Sequence, residues 1–198
     1  MANSTDQTLK FTEGWMPDEQ VELICASYNK VKHLKGSTVE LGCWQGKSTI
    51  GIANHIYPEK VICVDHWRGN EIEGDVSVRI AKERNIYLEF QKNMKIGTKG
   101  NFTVFKKDCF DFLENYMGKI KFLHVDADHH YDSVKRTLEL AIPKMVEGGI
   151  ICGDDFNSKQ DDVAKALLEQ FKNKPFGHIY NFWWAVISKE DKWKFMKI

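Results

Sequence analysis

Five short apolar runs, each followed by a longer amphipathic stretch, set the main constraint on what this chain can fold into. They read STVEL (37–41), KVICV (60–64), FTVFK (102–106), KFLHV (121–125) and GIICG (149–153). Runs this short, rich in β-branched and aromatic residues and lacking polar alternation, predict strands covered on both faces. The stretches between them carry helical spacing. After Asp132, the residues Val134, Leu138, Ala141 and Met145 share one helical face, with Pro143 and Gly148-Gly149 closing the unit. Val163, Leu167 and Phe171 form a second stripe, with Asp161 and Asp162 at its start and Lys172 and Lys174 at its end, as a helix dipole favours. Val21, Ile24, Tyr28 and Val31 predict an N-terminal helix, and Ser48 or Thr49 is placed to cap another running to about His55. Strands alternating with helices make an α/β domain with a mostly parallel sheet. The C-terminal NFWWAVISKEDKWKFMKI differs: two apolar runs around KED predict an antiparallel hairpin.

At 198 residues the chain suits one domain, 1–198, and its 42% hydrophobic and 12% aromatic content is that of a packed core rather than a disordered chain. Residues 1–36 form an N-terminal helical segment. Segment 68–100 is polar with a thin stripe (Val76, Ile80, Tyr87, Phe90, Met94), which makes it a cover over an active site or a plain surface helix. A net charge of zero and a pI of about 7.0 give no electrostatic reason to expect nucleic acid as a partner. MANSTDQTLKF lacks the basic and apolar parts of a signal peptide, and no apolar stretch reaches membrane-spanning length. Five scattered cysteines without a CxxC pair argue against a disulfide framework or zinc site and for a reducing compartment. A cytoplasmic protein is the expectation.

Every predicted strand ends in an acid or is followed by one: Glu40, Asp65, Asp108, Asp126 with Asp128, and Asp154 with Asp155. Singly, each is explained as a helix cap, a turn residue or a solvated carboxylate. Together they resist that reading. In an open α/β sheet the carboxyl ends of the strands face one crevice, where unpaired carboxylates repel each other. Such a rim suits ribose hydroxyls, an ammonium group or a metal ion.

The loop ELGCWQGKST (40–49) decides which. A phosphate-binding P-loop needs four residues between its glycines. Here Gly42 and Gly46 enclose only Cys43, Trp44 and Gln45. A P-loop nucleoside triphosphatase remains the rival, because KFLHVD can pass for its acidic strand, but Asp65 and Asp154-Asp155 then have no task. The absence of GxGxxG disfavours a dinucleotide dehydrogenase.

VELGCWQGKST instead resembles motif I of the class I S-adenosylmethionine-dependent methyltransferases, an acid followed by a glycine-rich turn. KKDCFDFL resembles their adenine-binding element. FLHVDADHHYDSVKRTLELAIPKMVEGGIICGDDF is similar to the metal-dependent O-methyltransferases, above all the macrocin and mycinamicin sugar O-methyltransferases and more distantly catechol O-methyltransferase. The likeness spans most of residues 37–156. It implies a Rossmann-like, seven-stranded, mostly parallel sheet with a C-terminal antiparallel hairpin and helices on both faces. It also implies S-adenosyl-L-methionine as cofactor, a small-molecule or sugar hydroxyl as acceptor, and homo-oligomers. A cofactor-binding module that has lost catalysis is the third reading.

Carried over by resemblance, Asp65 grips the ribose hydroxyls, Asp108 approaches the adenine amino group, and Glu40 lies near the cofactor's own amino group. Glu40 has capping of the glycine turn as its plain alternative. Trp44, Ser48, His66, Cys109 and Asp126 complete the implied cofactor contacts. Gly42 and Gly46 let backbone approach the ligand closely, and the helix start beyond them favours a carboxylate. Asp126, Asp154 and Asp155 offer hard oxygen ligands for Mg²⁺ or another divalent cation, which would hold and activate vicinal hydroxyls. The catalytic pair is Asp126 and His129. His129 stands where catechol O-methyltransferase has its lysine, and a histidine titrates near neutrality. His130 and Asp126 are rival bases, and a surface histidine is the plain alternative. His124 reads as a hydrogen-bonded core residue. Trp15, Trp44 and Trp67 are placed for an aromatic wall, while Trp183, Trp184 and Trp193 suit core or hairpin packing.

Overall fold

All five predicted strands form, and they lie side by side. A computed structural model describes residues 9–12, 15–70, 75–157, 161–172 and 174–188. Strands β1 (Ser37–Leu41), β2 (Val61–Asp65), β3 (Phe102–Lys106), β4 (Ile120–Val125) and β5 (Met145–Gly153) pair in parallel. β6 (Phe176–Ile179) and β7 (Phe182–Val186) complete a seven-stranded sheet of order β3-β2-β1-β4-β5-β7-β6, with β7 antiparallel to both neighbours. The chain winds outward from β1 through β2 to β3, then returns to the far side of β1 as β4. That reversal opens a crevice at the carboxyl ends of β1 and β4, where open α/β sheets bind ligands.

Helices cover both faces. α1 (Asp18–Val31), α2 (Lys47–Ile56) and α4 (Ile86–Gly97) bury Ile24, Ile52 and Phe90 on one side. α5 (Cys109–Asn115), α6 (Tyr131–Ala141) and α7 (Asp162–Gln170) bury Leu113, Leu138 and Leu167 on the other. α3 (Val76–Glu83) is peripheral, with Ser77 its buried residue. Aspartate and asparagine caps start several helices: Asp161 accepts from the Ala164 N–H, Asn85 from Leu88 and Asp108 from Phe110 and Asp111. No helix among the described residues is long and apolar enough to cross a membrane.

Three expectations need correction. β3 is an edge strand with three of its five residues exposed, because the winding order leaves it last on that side. β5 begins at Met145, so Gly148 and Gly149 lie inside a strand, where the β4–β5 register slips and Gly148 takes φ 75°. Ser48 and Thr49 are buried inside α2 rather than capping it; Gly46 stands at the cap. The expected C-terminal antiparallel hairpin forms from β6 and β7, turning at Tyr180-Asn181. The KED turn and Trp193 lie outside the described residues. Segment 68–100 divides: its first part reaches the crevice, whereas α4 packs its apolar stripe onto α2.

Candidate active site

The glycine loop between β1 and α2 is shaped by two close approaches. At Gly42 (φ 83°) a Cβ would stand 1.8 Å from the Asp126 carbonyl oxygen, so the end of β1 passes the loop after β4 only as glycine. At Gly46 (φ 87°) a Cβ would come within 3.1 Å of the Phe90 ring. The absent Cβ atoms leave room for Asp126 and α4, which fixes the loop against β4, and Gly42 also lines the cavity described below.

Asp65 holds the loop from the β2 side. One carboxylate oxygen accepts the N–H groups of Cys43 (2.9 Å) and Trp44 (2.8 Å), the other that of Trp67 (2.5 Å). Burial pushes the Asp65 carboxyl up, against the pull of these amides. Trp44, Trp67 and Asp155, in the loops after β1, β2 and β5, hold positive φ of 45°, 58° and 64°. Left-handed backbone at non-glycine residues costs roughly 1–3 kcal/mol each and concentrates at functional sites.

These loops enclose a cavity of about 870 Å³ at the carboxyl end of the sheet. Gly42, Trp44, Lys47 and Ser48 line it from the first loop; Asp65 and His66 follow β2, and Asp108 and Cys109 follow β3. Asp126 to His130 contribute from β4, Asp154 and Asp155 from β5, and Phe11, Thr12, Trp15 and Met16 from the N-terminal segment. The volume lies within the roughly 300–1,000 Å³ typical of small-molecule sites. No side chain caps the N-terminus of α2, which opens on this cavity through Lys47 and Ser48.

The strongest electrostatics lie between β4 and β5. His129 Nδ1 is 2.7 Å from Asp155 Oδ2, and its Nε2 is 3.7 Å from Asp126 Oδ1. Burial opposes charge on the imidazole, but the neighbouring Asp126 and Asp155 carboxylates outweigh it and push His129 up to about 10. Asp154 moves up to about 6, through burial first and then the charges of Asp126 and Asp155. The Asp155 carboxyl is held down by His129 against its burial. A carboxylate that resists ionising beside two others marks a site short of positive charge.

One sequence comparison decides the family. Residues 39–156 match the methyltransferase domain family. The chain belongs to it. This is a class I S-adenosylmethionine-dependent methyltransferase. A comparison with curated proteins finds no match. Among solved structures, the O-methyltransferase NovP superposes with a TM-score of 0.68 at 17% identity, over 86% of this chain and 80% of that one. TomG, an O-methyltransferase of Streptomyces achromogenes involved in tomaymycin synthesis and solved with S-adenosylmethionine, gives 0.64 at 13%, over 87% and 81%. CalS11, a TDP-rhamnose 3'-O-methyltransferase of calicheamicin biosynthesis, gives 0.58 at 14%, over 86% and 80%. At these identities the likeness is one of fold.

Two expected cofactor residues of the methyltransferase are absent from the cavity wall. Gly46 faces Phe90, as above. Glu40 is fully buried in β1, its Oε1 3.0 Å from Nδ1 of an equally buried His124, across the β1–β4 register. Alternation along β1 turns Glu40 into the α1–α2 face rather than up to the crevice. His124 is thus the bonded core histidine expected. His130 is engaged with Asp128 (2.7 Å), which also accepts from Ser133, so the first rival base has another partner. Asp154 stands outside the tight cluster; among the described residues the ligand atoms lying within 4.8 Å of one another belong to Asp126, His129 and Asp155. His129 thus lies between two carboxylates that favour its protonated form in the ion-free cluster. Lys47 pairs with Asp18 at 2.8 Å, which occupies the lysine a P-loop would aim at phosphate. Trp67 does not form an aromatic wall: it is buried against Tyr87 and Phe90, and its Nε1 donates to the Trp44 carbonyl (2.7 Å).

Sequence reasoning missed Gln45 and Asn93. Gln45 Oε1 accepts from the Thr12 N–H (2.6 Å) and Oγ1 (2.8 Å), and Asn93 exchanges hydrogen bonds with the Lys10 backbone (2.7 and 3.1 Å). The partners lie 33 and 83 residues away along the chain, and no local pattern signals such pairs.

Proposed function

We propose that this methyltransferase acts on a hydroxyl of a small molecule or sugar, with Mg²⁺ or another divalent cation held by Asp126, His129 and Asp155. The observation that carries the reading is this cluster, opening into the same cavity as the glycine loop. The donor set fits a cation. Its ligand atoms lie within 4.8 Å of one another, and Asp154 beside it is pushed up to about 6 by burial and then by the charges of Asp126 and Asp155. Carboxylate oxygens suit Mg²⁺, and an imidazole widens the choice toward Mn²⁺ or Zn²⁺.

Asp65, His66, Asp108 and Cys109 would hold the adenosine end of S-adenosylmethionine, and the uncapped start of α2 its methionine carboxylate. Asp65 already accepts three N–H groups, so it orients the ribose and the loop together. Asp155 fixes the His129 ring through Nδ1 and leaves Nε2 facing Asp126, so the imidazole is turned toward the cation site and the Asp126 carboxylate would receive a hydroxyl proton. A bound divalent cation would supply the positive charge that the imidazolium proton now supplies and would lower the pKa of a coordinated hydroxyl. Asp126 and His129 would then hold the acceptor oxygen toward the methyl group that the bound cofactor supplies.

Calorimetric titration with S-adenosylhomocysteine and with ATP, each with and without Mg²⁺, tests the reading. S-adenosylhomocysteine is expected to bind and ATP is not. Asp155→Asn protein that kept full Mg²⁺-dependent turnover on vicinal-diol substrates would remove the cation assignment.

A further inference from the structure

A second hollow, of about 330 Å³, opens between the α3–α4 connection and the end of β3. The buried Trp67 forms its floor, with Lys82, Glu83, Arg84, Tyr87 and Lys106 around it. Charge sets what it can hold. The chain is neutral overall, yet residues 79–107 carry eight Lys or Arg against two acids, Glu83 and Glu89. Three of those cations meet in the hollow. Lys106 lies over the Tyr87 ring at 4.4 Å, and neither it nor Lys82 is ion-paired among the described residues. Glu83 offsets one charge and Glu89 another, which leaves the hollow positive. α4 also starts there, at Asn85 and Ile86, with the positive end of its dipole. Lysines on an edge strand guard it against pairing, but that role needs neither Arg84 nor the hollow.

Arg84 indicates which anion. Its Nε and Nη2 hold the Glu89 carboxylate at 2.9 and 2.5 Å, a two-point pair. Glu89 is thus a tethered stand-in for a free carboxylate. It also reaches the cofactor loop: its Oε2 accepts from Gln45 Nε2 (2.6 Å), and Gln45 Oε1 holds Thr12. Trp67 gives a second route, its N–H bonded to Asp65 and its Nε1 to the Trp44 carbonyl. Both routes end in the glycine loop. We propose that this hollow is a regulatory site for a small polycarboxylate, which competes with Glu89 for Arg84 while Lys82 and Lys106 meet its remaining charge. Glu89 released from Arg84 no longer steadies Gln45, so the glycine loop and the N-terminal segment slacken and cofactor affinity falls. The coupling is reciprocal: bound cofactor weakens the carboxylate by the same factor.

Tricarballylate, succinate and propionate are titrated by calorimetry into cation-free protein at low salt. Tricarballylate is expected to bind about tenfold more tightly than propionate, with succinate between them and affinity falling as salt rises. Arg84→Gln should abolish binding. Lys82→Gln, which breaks no ion pair among the described residues, should weaken it about threefold. Saturating tricarballylate should raise the S-adenosylhomocysteine dissociation constant about fivefold and speed proteolytic cleavage ahead of α1. Glu89→Gln removes the competitor, so it should tighten tricarballylate binding and cancel its effect on S-adenosylhomocysteine. Tricarballylate binding no tighter than propionate, affinity unchanged in Arg84→Gln or Lys82→Gln, or S-adenosylhomocysteine affinity unmoved by saturating tricarballylate overturns the proposal. Failure of wild-type protein to bind S-adenosylhomocysteine removes the cofactor reading instead. The cleavage assay then decides the coupling, and an unchanged cleavage rate overturns it.

Discussion

His129 carries the clearest pH signature. Its folded pKa of about 10 exceeds the ordinary 6.5, so its contribution to stability is complete below pH 6.5 and is lost as pH rises toward 10. Urea denaturation of cation-free protein should show this decline, and His129→Gln should flatten it. Asp154 has the same sign over a different window. Its carboxyl, raised from 3.8 to about 6, increasingly destabilises the fold between those values and fully above them. Asp154→Asn is therefore expected to stabilise chelator-treated protein above pH 6, on the order of 1 kcal/mol, with no gain below pH 3.8. Both residues stand in DADHH and GDD as conspicuous titratable groups. Their shifted titration could not be read there, because it follows from burial and from carboxylates that the β4 and β5 loops bring together.

Two elements depend on contacts that their own sequences do not announce. The Cβ of Gly42→Ala would lie 1.8 Å from the Asp126 carbonyl oxygen at a φ of 83°, so the loops after β1 and β4 must part. A loss of about 3 kcal/mol or more in denaturant titration is expected, with S-adenosylhomocysteine binding abolished. Asn93, buried on α4, bonds to Lys10 and Gln45 backbone and so ties the N-terminal segment to the glycine loop. Asn93→Ala should cost about 1–3 kcal/mol, since it strands buried partners, and should speed proteolytic cleavage ahead of α1. The strands were legible to within a residue or two at β1, β2, β3 and β4 because each is a compact apolar run. β5 was read four residues short, because glycines that ordinarily mark a turn here form a bulge inside the strand.

For the molecule as a whole, the ligand site joins elements from nearly the full described length, from Phe11 to Asp155. Anything that binds this crevice holds both halves of the sheet and the N-terminal segment together. S-adenosylhomocysteine at a hundred times its Kd should therefore stabilise the fold by about 2.7 kcal/mol, or roughly 5–11 °C in Tm for a chain of this size. Asp65→Ala should remove that shift and lower the ligand-free Tm as well, since three N–H groups lose their acceptor. A full ligand-induced shift in this variant would show that Asp65 serves the loop alone.

Strand and helix content, the parallel sheet, the acid at every strand end and the family likeness were all present in the order of residues. The first three rest on periodicity and on spacing along the chain and the likeness on the residues of a few motifs, all of them local quantities. Tertiary structure decided which acids meet. It sent Glu40 inward to His124, packed the two glycines against Asp126 and Phe90, and joined His129 to Asp155 across two strands. It also drew Trp15 over the crevice through Gln45 and Asn93. Strand alternation and the winding order of the sheet set these encounters, so residues far apart in sequence acquire their charge states and partners only when the sheet closes.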